Sequence, residues 1–130
     1  MLHKTVWALA TMLLVSACGG LQTRTISVES GTQFAVTGSD DALYLDLQGI
    51  LWQLPPNGGT ASALSTALDD LRRPQLSPDG AHLVMQSFAT GHWDIVLSDS
   101  LGNNRRPLTQ TAYDDREPVW SADGRTVLFT

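Results

Sequence analysis

One twelve-residue pattern occurs three times in this chain, and a repeat restricts the fold more than any single motif does. Residues 74–85, running Pro74-Gln75-Leu76-Ser77-Pro78-Asp79-Gly80 and on to Met85, return as residues 118–129. The second copy reads Pro118-Val119-Trp120-Ser121-Ala122-Asp123-Gly124 and continues to Phe129, an offset of 44 residues from 74 to 118. A worn copy, residues 34–45, lies upstream at an offset of 40, from 34 to 74. The 44-residue register also holds between the copies. Leu51 falls with Ile95, Gly58 with Gly102, Leu64-Ser65 with Leu108-Thr109, Asp70 with Asp114 and Arg72 with Arg116. Short strands recurring every roughly 40–45 residues mark the blades of a β-propeller. Closed propellers have about 4–8 blades. The expectation is therefore an all-β chain, a partial propeller of about two and a half four-stranded blades following an N-terminal signal segment. The blades would occupy residues 34–73, 74–117 and 118–130, the third stopping at its second strand.

Within a unit, Gln75-Leu76 and Val119-Trp120 begin an inner strand. Asp79-Gly80 and Asp123-Gly124 supply tight hairpins, because glycine accepts positive φ. Residues 83–88 and 126–129 are apolar and read as the next strand, 94–98 as a buried third strand, and 105–108 as an outer edge. In the first unit, strands 43–47 and 50–54 are joined by Gln48-Gly49 alone, whereas the second unit spends Ala89-Thr90-Gly91-His92 there. Taken as an insertion, those four residues account for 40 against 44. Residues 61–71 are the one helical candidate beyond residue 18, and the repeat register argues against a helix there.

The N-terminus reads as an address. His3 and Lys4 are followed by an apolar run at 6–15, broken by Thr11. That run is too short for a bilayer span, which takes about 20 residues, but it suits the core of an export signal. Val15-Ser16-Ala17-Cys18 then resembles the bacterial lipobox, in which the cysteine thiol is acylated and the chain is cut before it. The resemblance implies a signal peptide at 1–17 and lipidation of Cys18. Several acyl chains give stable membrane anchoring where one alone is marginal. Residues 18–33 would be the lipidated N-terminus with a linker or closing strand. Gly19 in place of aspartate resembles outer-membrane sorting, facing the periplasm. Cys18 is the sole cysteine, so no disulfide forms within one chain.

Ser77-Pro78-Asp79-Gly80 and Ser121-Ala122-Asp123-Gly124 resemble the Pro-Asp propeller repeat. It occurs in TolB, in the tricorn protease, in prolyl-oligopeptidase-like peptidases and in secreted bacterial amidohydrolases. Residues 43–54, with Gly58-Gly59, Leu64-Ser65 and the lead-in at 25–32, resemble the opening blade of the amidohydrolase group. That resemblance implies a substrate-filtering or scaffold propeller, with a downstream hydrolase domain holding a divalent metal. A non-enzymatic TolB-like binding propeller and the propeller of a serine peptidase are the alternatives. This chain itself carries no catalytic constellation, no phosphate loop and no His-rich metal motif. Cofactors are expected only downstream.

The formal net charge of −5 and the absence of a basic stripe argue against nucleic acid. Partners would be the membrane, through Cys18, and a protein or peptide at the propeller face. Asp69, Asp70, Asp114 and Asp115 lie in matching inter-blade loops that would line one mouth of the propeller, where a cation or basic peptide could meet them. Solvated turn residues are the plainer reading. Trp52, Trp93 and Trp120 are read as packing between blades, and the pairs Arg72-Arg73 and Arg105-Arg106 as loop charges.

Overall fold

A computed structural model describes residues 9–14, 22–27 and 35–130. The first two stretches belong to one compact unit, residues 1–32. In it Leu9–Leu14 (β1) pairs antiparallel with Gln22–Ser27 (β2). β1 falls inside the apolar run read as an export signal, and β2 falls inside residues 18–33, read as a linker or closing strand. Cys18 lies outside the described residues.

The second unit, residues 33–130, consists of antiparallel meanders. Val36–Gly38 (β3), Leu43–Leu47 (β4), Ile50–Leu54 (β5) and Ser62–Ala63 (β6) make a first four-stranded blade. Leu71–Leu76 (β7), His82–Ser87 (β8), Asp94–Asp99 (β9) and Arg106–Pro107 (β10) make a second. Val119–Trp120 (β11) and Val127–Leu128 (β12) pair as the start of a third. The helical candidate at 61–71 resolves into β6, a single 3-10 turn at Ala67–Asp69 and the start of β7.

First strands of successive blades stand side by side. Leu76 N–H donates to Thr37 Oγ1 at 3.1 Å, and Trp120 Nε1 donates to the Gln75 carbonyl at 3.0 Å. β3, β7 and β11 are therefore the inner strands. The second strand of each complete blade is buried on both faces, which is why Leu43-Tyr44-Leu45 and Leu83-Val84-Met85 run apolar without alternation. The core sits between blades one and two. Ala42, Tyr44, Leu51, Leu71, Leu83 and Met85 form it, with Leu64, Leu76 and Val96 packed against it.

The repeated hairpin is closed by side chains. Ser77 Oγ donates to Asp79 Oδ1 at 2.6 Å and accepts from His82 N–H at 2.9 Å, while Asp79 Oδ1 also accepts from Ala81 N–H at 3.0 Å. Ser121 and Asp123 repeat all three bonds at 2.6, 3.0 and 3.1 Å. A side chain that bonds its own turn satisfies backbone groups that the strands leave behind.

Blade one departs from the ungapped alignment. Met85 and Leu45 correspond, since they face Val96 and Trp52, which are 44 apart. On the inner strand Leu45 faces Val36, and Gln75 faces Val84. The first inner strand is thus displaced by 38 residues from the second, from 36 to 74, not by 40. The cause is its turn: four residues separate Gly38 from Leu43, against six between Leu76 and Leu83. With two residues fewer in the turn, Ser39 N–H closes on the Ala42 carbonyl at 2.9 Å, where Ser77 N–H closes on the His82 carbonyl at 2.8 Å. β7 also starts earlier than expected, at Leu71, because an irregularity between Arg72 and Gln75 lets the strand resume pairing beyond it.

Candidate functional site at the blade mouth

The irregularity recurs where the inner strands begin. Arg73 and Glu117 precede Pro74 and Pro118 and take φ of 54° and 57°. Left-handed backbone at a non-glycine residue is strained and needs fixing by its surroundings. Arg73 N–H donates to Asp46 Oδ2 at 3.2 Å, and Glu117 N–H donates to Gln86 Oε1 at 3.1 Å. Asp46 also accepts from Ala35 N–H, so one buried carboxylate fastens the inner strands of two blades. Pro74 and Pro118 are fully enclosed, which fixes the residues before them.

These residues wall a cleft of about 370 Å3 with Arg72, Trp93 and Arg116. Arg73 Nη1 reaches Glu117 Oε2 at 2.7 Å and bridges blades two and three. The guanidinium carbons of Arg72 and Arg116 stand 5.6 and 5.2 Å from the Trp93 ring centre, within cation–π range. Phe88 packs on the same ring, centroids 5.1 Å apart.

Asp70 and Asp114 hold the two arginines. Asp70 Oδ1 accepts from Arg72 Nε at 3.0 Å, and Asp114 Oδ2 from Arg116 Nη2 at 2.7 Å. Asp114 Oδ1 also accepts from Trp93 N–H at 3.0 Å. The Arg116 bond, followed by the Trp93 amide, holds the Asp114 carboxyl below its ordinary value. Asp69 accepts from Thr66 N–H at 2.8 Å and meets Arg105 at 3.3 Å, which places it in the loop behind the mouth. Asp115 sends its own N–H to the Trp93 carbonyl at 2.8 Å, and its carboxylate accepts from Thr111 Oγ1 at 3.3 Å. The four aspartates are therefore spread through two matching loops. Among the described residues no group of three or more His, Cys, Asp or Glu side chains could hold a metal ion.

Two solved structures share this arrangement of strands. The structure of putative TolB from Agrobacterium tumefaciens matches at TM-score 0.71 with 21% identity, over 92% of this chain and 44% of that one. TolB from Acinetobacter baumannii matches at TM-score 0.67 with 18% identity, over 92% of this chain and 33% of that one. The fold is a partial β-propeller of the TolB type. No family model matches the sequence. The chain spans less than half the length of either TolB structure.

Asp46, Gln86 and Glu117 are mouth residues that the sequence did not single out, while Arg72-Arg73 reads there as loop charge and Trp93 as packing between blades. Arg72 and Arg116 are visible as a repeated pair 44 residues apart. Trp93 follows the four-residue insert of blade two, where blade one has only Gly49, so no second copy exists to flag it. Among its described lining residues the mouth has no serine, threonine, cysteine, histidine or lysine. It offers one aromatic face, guanidinium groups and carboxylates, most of them half exposed. Ion pairs at such exposure contribute about 0–1 kcal/mol and open cheaply to exchange partners.

Proposed function

We propose that this chain is part of a non-enzymatic propeller of the cell envelope that binds a protein or peptide at the blade mouth. The observation that carries the reading is Trp93 held between Arg72 and Arg116, beside the Arg73–Glu117 bridge. Such a surface combines a part-buried aromatic ring with arginines and exchangeable charges of both signs, a composition favoured where proteins dock. The TolB-type fold is consistent with a scaffold role. A photo-crosslinking residue at position 73, in the full-length protein in its own cells, tests it. One discrete adduct, lost when Trp93→Ala is added, is expected; absence of any adduct overturns the reading.

The likeness of residues 43–54 to the opening blade of secreted amidohydrolases supports a second reading, a scaffold joined to a metal-dependent hydrolase domain. A His-x-His motif in the reading frame after codon 130 would favour it. For the envelope address, we propose lipid anchoring at Cys18, supported by Val15-Ser16-Ala17-Cys18 after an apolar run. Metabolic labelling with palmitate should mark the protein, and Cys18→Ser should abolish the label and release the protein from membranes.

A further inference from the structure

A second cleft, of about 280 Å3, lies beside β10 and behind the loop that leads into β7. Leu71, Val96 and Pro107 give it apolar walls, and Asp94, the first residue of β9, lines it. Asp94 is 4% exposed. Its Oδ2 accepts from Thr90 Oγ1 at 2.8 Å, and His92 Nε2 stands 3.9 Å from that same oxygen. Its Oδ1 is enclosed and accepts from nothing among the described residues. A buried carboxylate oxygen without a donor is costly, so such a group calls for a partner.

The fold does not require it. Ser87 faces Asp94 across the hairpin as Leu47 faces Ile50, so Ile50 is the blade-one counterpart of Asp94. A propeller blade of this chain closes its hairpin with an apolar residue there. We propose that this cleft binds a primary ammonium group on an unbranched apolar stem, of the lysine side-chain type, with the Asp94 carboxylate as the acceptor. A carboxylate with one oxygen already bonded to Thr90 and the other enclosed suits a compact ammonium, whereas a guanidinium fork seeks both oxygens of a carboxylate. The apolar walls suit the stem. Two cations share the cleft. Arg105 is engaged by Asp69 at 3.3 Å; Arg106 is exposed on β10 and is the internal rival for Asp94. The site does not use the Trp93 mouth, so it stands or falls separately from the reading above.

The test is titration calorimetry of the full chain with Nα-acetyl-lysine N-methylamide. The norleucine and arginine analogues and n-butylamine serve as comparisons. Saturable binding of the lysine probe is expected, at least tenfold weaker for the norleucine and arginine analogues. Butylamine competing for the site would support a free amine as the natural ligand, and its failure a peptide side chain. Asp94→Ile, which installs the blade-one residue, and the near-isosteric Asp94→Asn should each abolish binding, while Arg106→Gln leaves it equal or tighter. No saturable binding to the natural chain, or binding unchanged in both Asp94 variants, overturns the proposal. So does an Arg106→Gln variant that lowers Tm as far as Asp94→Asn, since Arg106 would then be the partner of Asp94.

Discussion

A single serine and a single aspartate close each repeated hairpin, and their chemistry fixes how the chain responds to acid. The Ser77 hydroxyl, then the Ala81 amide, hold the Asp79 carboxyl below its ordinary 3.8. Ser121, then the Arg125 amide, do the same for Asp123, and Arg116 does so for Asp114. A carboxylate whose folded value is depressed stabilises the fold above its unfolded value and loses that contribution as pH falls through the folded one. Denaturant midpoints should therefore be flat above about pH 5 and fall below about pH 4. Ser77→Ala removes the acceptor for His82 N–H at a buried residue, so it should cost about 1–3 kcal/mol at pH 7. It should also move the Asp79 carboxyl back up, as read by carboxyl carbon NMR; an unmoved Asp79 would assign the depression to another group. At the mouth, Trp93→Ala removes two cation–π contacts and the Phe88 packing, and should cost about 1–2 kcal/mol in urea unfolding. Trp93→Phe should recover part of that. The hairpin lock was legible in the sequence because Ser-x-Asp-Gly occurs twice. The mouth was not, because the fixing groups, Asp46 and Gln86, are distant in sequence and differ from each other.

The strands themselves were the most legible level. Strands 43–47 and 50–54 and their Gln48-Gly49 turn form where expected, with φ of 55° and 77° at the two turn residues. The inner strand of blade one slipped by two because its side chains alternate too weakly to fix register, and its turn sequence, Ser39-Asp40-Asp41, carries no glycine to date the deletion. Between elements, one close approach is at Gly102, where the turn after β9 meets Leu64 of blade one. An added Cβ there would lie 2.9 Å from the Leu64 Cβ, and φ is 75°. Gly80 has φ of 72° but open space around it. Gly80→Ala should therefore cost about 1 kcal/mol, the conformational term alone. Gly102→Ala adds overpacking against a neighbouring blade and should cost about 2–4 kcal/mol in total. Equal costs in denaturant unfolding would mean that the two blades part at that contact without penalty.

At the scale of the molecule, a repeat array gains stability from each neighbouring unit. The interface of blades one and two is apolar and continuous through Tyr44, Leu51, Leu71 and Met85. Beyond it the structure thins. β11 and β12 are two residues each and pair only with one another among the described residues. Val119, Leu128 and Phe129 are 50%, 62% and 45% exposed. An exposed strand edge with apolar side chains is a template for another chain. Residues 33–130 expressed alone should therefore self-associate. The apparent mass in light scattering should rise with protein concentration over the micromolar range. Leu128→Lys with Phe129→Lys should reduce that rise, because charge on an edge strand opposes pairing and the substituted side chains are exposed, so the inter-blade core is untouched. A concentration-independent monomer with a cooperative melt would show that two blades and a hairpin suffice as a folding unit, and that the exposed strand is protected by something other than a neighbouring blade.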